Sequence, residues 1–150
     1  MTDTDKFVGA WRLISTEFRA EDGSPGDSPY GTDSQGLLIY DTQGSMSAQL
    51  GQAHRAPFAI ADRKAGSHEE LRAAFESYQA YCGSYTVDES EHVVIHTVTL
   101  SLLPNWVGTL QRRHYEFTDG KLILRTPAMT IGGKSLNGEL VWERINAVLE

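Results

Sequence analysis

Short apolar runs broken by tight polar turns recur along almost the whole chain, and this rhythm constrains the fold more than any other feature. The runs are 11–18, 36–40, 45–50, 81–87, 92–102, 107–117, 121–126 and 139–145. Asp41-Thr42-Gln43-Gly44 separates two of them, Asp88 to Glu91 is a similar polar break, and Thr118-Asp119-Gly120 carries the Asp-Gly hairpin signal. Many short strands joined by such turns predict an all-β, antiparallel sandwich or barrel. The stretch from Glu21 to Gln35 is rich in Gly, Pro, Ser and Asp and reads as a loop. One segment departs from the pattern. Ser67-His68-Glu69-Glu70 has the form of a helix capping box, and Leu71, Ala74, Phe75 and Tyr78 follow at helical spacing. It predicts one short helix over 67–78, lying across a barrel end either as a plug over apolar interior or as a lid.

The chain has 150 residues, which predicts one domain over 1–150 with a core from about 8 to 145. A single cysteine, Cys82, rules out an intrachain disulfide and reads as a small buried hydrophobe. The first residues are polar and acidic, unlike a signal peptide, and no apolar run approaches the ~18 residues of a membrane span. A cytoplasmic protein with no membrane partner is the expectation. Thirteen Lys and Arg against 20 Asp and Glu give −7 with His neutral, which opposes nucleic-acid binding. The histidines at 54, 68, 92, 96 and 114 have no metal-ligand spacing, and there is no P-loop, G-x-G-x-x-G or G-x-S-x-G. Neither metal nor cofactor is expected.

Side chains alternate faces along a strand. In 92–102 the even set, Val94, His96, Val98, Leu100 and Leu102, is the more apolar and is expected inside. In 107–117 the odd set carries the aromatics, so Gln111, Arg113 and Tyr115 are expected inside, while Arg112, His114 and Glu116 face solvent. An inward Arg113 cannot stand alone, because an unpaired buried charge costs several kcal/mol or more. It either pairs with a carboxylate such as Glu17 or Glu143, or with carbonyls, or contacts a ligand. His96 is either a satisfied buried imidazole or a ligand contact and proton-transfer group.

Several of these residues also carry a family likeness. Gly9-Ala10-Trp11 has the G-x-W form that opens the first strand of calycin barrels. Gly36-Leu37-Leu38-Ile39-Tyr40, Gly44 to Leu50, Pro104-Asn105-Trp106-Val107-Gly108-Thr109 with Gln111 and Arg113, and Leu140-Val141-Trp142-Glu143-Arg144 follow in order. Over residues 8 to 145 this set resembles the bacterial and fungal lipocalin-like domain family. The resemblance implies an up-and-down, calycin-type β-barrel with an apolar cavity, and an Arg144 packed over Trp11 as structure. The wall would be built from Tyr40, Met46, Gln49, Tyr85, Trp106 and Tyr115, with His96, Gln111 and Arg113 beside them. Such barrels bind and carry small apolar or aromatic molecules, or act without cofactors as isomerases or cyclases of natural-product pathways. In the second case His96 would move a proton and Arg113, with Gln111 or Tyr115, would hold an oxyanion. A structural module that oligomerises, such as a homodimer, is a third reading.

Overall fold

The computed structural model describes residues 1–146. In chain order its elements are helix α1 (Asp3–Phe7), then strands β1 (Gly9–Ala20), β2 (Pro25–Gly26), β3 (Ser34–Tyr40) and β4 (Ser45–Gln52). Helix α2 (His68–Glu76) precedes β5 (Tyr78–Asp88) and β6 (Val93–Ser101). A 3₁₀ turn at Pro104–Trp106 leads into β7 (Leu110–Thr118), β8 (Lys121–Arg125), β9 (Met129–Ile131) and β10 (Lys134–Arg144). Every long strand pairs antiparallel with its neighbours in the order β1-β3-β4-β5-β6-β7-β8-β10. Pairing of β1 with β10, from Trp11↔Arg144 to Ala20↔Leu136, closes the ring. The result is an eight-stranded up-and-down barrel, to which β2 and β9 add short flaps on β1 and β10 at one rim.

The turns explain the pairing. Asp119 and Gly120 both take positive φ, 50° and 74°, the backbone of a two-residue hairpin whose twist matches its strands. Strict alternation then sends Val94, His96, Val98, Arg113 and Tyr115 inward, while Arg112, His114 and Glu116 face out. The alternation fails at one place. The register of β5 on β6 slips between Cys82 and Gly83, where Gly83 faces Val98 but Cys82 faces Leu100. The extra residue reverses the faces beyond it. Leu100 and Leu102, expected inside, therefore point outward, 67% and 40% exposed. Gly83 permits the slip: a Cβ there would stand 1.8 Å from the Thr97 carbonyl oxygen.

The helix near residue 70 forms with both capping-box hydrogen bonds between Ser67 and Glu70, but it plugs nothing. None of its residues is buried, and Leu71 and Phe75 are 47% and 45% exposed. The plug is α1. Five residues are too few to show a helical period, and its only local signal is the Thr2–Asp5 capping pair. It drives Phe7, fully buried, into edge-on contact with Tyr40, Tyr115 and Phe117 at centroid distances of 4.9–5.1 Å.

Polar groups tie this closed end together. The Trp11 indole donates to the Phe7 carbonyl at 2.9 Å. The Arg144 guanidinium lies over the Trp11 ring, 4.2 Å from its centroid, and donates to the carbonyls of Val8 and Lys6 at 2.6 and 2.5 Å. Gly9 makes the room, since a Cβ there would lie 2.7 Å from the Arg144 Nη1. The Tyr115 hydroxyl donates to Asp3 at 2.6 Å, and this bond holds the Asp3 carboxyl below its ordinary range.

Candidate functional site

From the closed end the interior continues into a cavity of about 40 Å³, enough for about three waters. Its floor includes Leu38, Ala48, His96 and Trp142. Tyr30, Trp106 and Met129, each half-buried, stand among the lining residues supplied by the rim segments. The strand segments nearer the rim contribute Gln79, Tyr81 and Thr126, among others, while Arg113 stands opposite Val94, one pleat below His96, and lines the same space.

Alternation on β6 places His96 inside the barrel, 1% exposed. Both ring nitrogens are engaged: the Tyr40 hydroxyl lies 2.7 Å from Nε2 and the Tyr81 hydroxyl 2.8 Å from Nδ1. A neutral imidazole has one donor and one acceptor nitrogen. One tyrosine therefore donates to the ring and the other accepts from it, which leaves the second hydroxyl's own proton free. Burial, and then the nearby Arg113 charge, push the His96 pKa from 6.5 down to about 3. Burial also raises the pKa of Tyr81, against the opposing pull of Arg113, raises that of Tyr40 well above its ordinary 10, and brings Tyr30 to about 12. At neutral pH all four groups are uncharged.

Arg113 is the exception. It is 6% exposed and lines the same cavity. Its Nη1 donates to the Arg112 carbonyl at 3.0 Å and its Nη2 to Gln111 Oε1 at 3.4 Å, and its guanidinium stands 6.0 Å from the Trp106 ring centroid. The carboxylates expected as partners are engaged on the outer face: Glu17 with Arg19, and Glu143 with Arg12 at 2.7 Å. Among the described residues Arg113 has no acidic partner. A second lining residue carries an unmet donor: the buried Trp142 indole N–H has no acceptor among the described residues.

The residues expected at the site divide accordingly. His96, Trp106 and Arg113 line one cavity, Tyr40 reaches it through His96, and Gln111 braces Arg113. Met46 and Tyr85 are buried but lie outside the lining; Tyr85 packs on Tyr40 and donates to the Asp41 carbonyl at 2.7 Å. Tyr115 is at the closed end on Asp3. Gln49 is exposed and accepts from the Tyr78 hydroxyl. Its assignment to the wall with Met46 fails on period alone, because residues three apart on a strand face opposite ways. Phe18, Tyr30, Gln79, Tyr81, Thr126 and Trp142 are the polar and aromatic lining residues that sequence reasoning missed, along with the aliphatic ones. Tyr81 alone had a usable signal, sharing its inward parity with Tyr85 on β5.

Eight antiparallel strands closed around a small interior, entered from one rim and plugged at the other by an N-terminal helix, define a lipocalin-type barrel. The model of the lipocalin-like domain family matches residues 8–145, and the chain belongs to that family. It is similar to the 4'-hydroxy-3'-methoxypropiophenone carrier protein ppsC of Aspergillus oryzae, at 33% identity over 107 residues covering 67% of this chain and 96% of the relative. Among the described residues no helix is long and apolar enough to cross a membrane, and no cluster of His, Cys, Asp or Glu could hold a metal ion.

Proposed function

We propose that the barrel binds a small, largely apolar or aromatic molecule in the cavity under Trp106, with Arg113 meeting a polar atom of that molecule. The observation that carries this reading is the buried guanidinium with no acidic partner among the described residues, set in a wall of aromatic and aliphatic side chains. A charge that served only to hold the barrel together would have a carboxylate beside it or be pinned by two short bonds to backbone carbonyls as Arg144 is, and Arg113 has one such bond, at 3.0 Å. The similar Aspergillus protein is named as the carrier of a phenolic aryl ketone, a molecule of the class that such a wall suits. A molecule of that size needs more than 40 Å³, so entry requires Tyr30, Trp106 and Met129 to swing outward. A carrier also fits His96 better than acid–base catalysis does. An imidazole with a pKa near 3, locked between two tyrosines, is a weak base.

Calorimetric titration with 4'-hydroxy-3'-methoxypropiophenone tests the reading. One molecule should bind per chain. Ala48→Leu adds bulk at the cavity floor and should lower affinity at least tenfold, at a stability change of no more than about 1–3 kcal/mol. Gln49→Ala, one residue away on the outer face, should change neither. Equal affinity in Ala48→Leu would place binding elsewhere.

A further inference from the structure

We propose that the cavity takes its ligand as an anion, an apolar or aromatic body bearing one carboxylate or phenolate oxygen that seats on Arg113. The inference rests on the binding reading above and specifies the charge of what binds.

The groups that face Arg113 come from every side of the cavity. They are Tyr30 from the rim loop, Tyr40 on β3, Tyr81 on β5, His96 on β6 and the Trp106 ring. None of them carries a negative charge near neutral pH, since burial holds the tyrosines protonated and the imidazole unprotonated. Among the described residues the cavity therefore holds one buried positive charge and no counter-charge. Arg keeps its proton, so the imbalance cannot be relieved by titration of the protein. Its geometry leaves donors to spare. Of five guanidinium N–H groups, one meets a carbonyl at 3.0 Å and one a side-chain amide oxygen at the long distance of 3.4 Å. The Trp142 N–H, also on the lining, lacks an acceptor among the described residues. A neutral ketone or ether would accept from these donors but leave the charge uncompensated. An oxyanion would answer both, adding the attraction of opposite charges in a low-dielectric interior to hydrogen bonds that a neutral oxygen would also accept.

Three probes of nearly equal shape separate the cases: 4'-hydroxypropiophenone, its 4'-methoxy ether, and 4-methoxybenzoate. The first ionises to a phenolate with a longer-wavelength absorption band, the second is always neutral, and the third is a carboxylate at neutral pH. At least one ionisable probe should bind about ten- to a hundredfold more tightly than the ether. Which one does so identifies the preferred oxyanion. If it is the phenol, the bound probe should show the phenolate band at a pH where the free probe is protonated. Arg113→Met should erase both the band and the preference for the anion, and Arg113→Lys should restore part of each. An ether that binds as tightly as both ionisable probes would overturn the anion proposal while leaving the barrel a binding protein. Binding of none of the three would overturn the binding reading and this proposal together.

Discussion

Each half of the barrel holds an arginine beside a tryptophan, and the two arginines are held differently. At the closed end Arg144 lies 4.2 Å from the Trp11 centroid and donates to two backbone carbonyls at 2.6 and 2.5 Å. In the open half Arg113 stands 6.0 Å from Trp106, with one carbonyl at 3.0 Å and one amide oxygen at 3.4 Å. The first is pinned to backbone that the barrel cannot move without unfolding. The second is more deeply buried and less well satisfied. Polar groups at the closed end have found each other: Trp11 with Phe7, Tyr115 with Asp3, Tyr85 with Asp41. In the open half a guanidinium lacks an acid and an indole an acceptor among the described residues. The difference separates a region built for stability from one that keeps interactions in reserve.

Mutations should split along the same line. The largest stability effect belongs to the closed end. Trp11→Ala removes a ring that is 2% exposed, its bond to Phe7 and the platform under Arg144, and should cost about 3–5 kcal/mol by chemical denaturation. The folded fraction should still bind the aryl ketone.

A graded effect, small just below neutral pH, appears with acid. His96 has a folded pKa near 3 against 6.5 unfolded, so between those values the unfolded chain holds the extra proton. Stability is then full above 6.5 and falls as the pH drops toward 3, by up to about 1.4 kcal/mol per pH unit. Denaturation series of wild type and His96→Phe across this window isolate the contribution. The wild-type slope should be the steeper, and parallel slopes would mean that His96 titrates normally. Tyr115→Phe should be milder, about 0.5–1.5 kcal/mol, because one hydrogen bond is lost near the surface. The Asp3 carboxyl pKa, followed by NMR, should rise toward its ordinary 3.8.

All eight barrel strands were legible as alternating runs between turn signals, because alternation and Asp-Gly turns are local properties of the chain. Features set by distant partners were not. The β-bulge that turns Leu100 and Leu102 outward depends on Gly83 meeting the Thr97 carbonyl across a strand pair. The plug α1 is too short to show a period, so the longer capped segment, α2, drew the expectation of a plug or a lid instead. At the candidate site, parity was enough to bring His96 and Arg113 to one interior. It could not reveal that Glu17 and Glu143 would be taken by Arg19 and Arg12 outside the barrel. Nor could it foresee the clasp of Tyr40 and Tyr81 on His96, which joins three strands.

Arg113→Met asks most directly whether the open half is the binding half. The substitution keeps the side-chain stem and removes the charge. Thermal unfolding of wild type and variant, each with and without 4'-hydroxy-3'-methoxypropiophenone, reads both properties in one experiment. With no carboxylate among the described residues to strand, the ligand-free variant should unfold at the wild-type temperature or above it. The upward shift that ligand produces in wild type should shrink or vanish in the variant. A variant destabilised by about 3–5 kcal/mol that keeps the full ligand-induced shift would contradict the account, because Arg113 would then be a structural charge like Arg144.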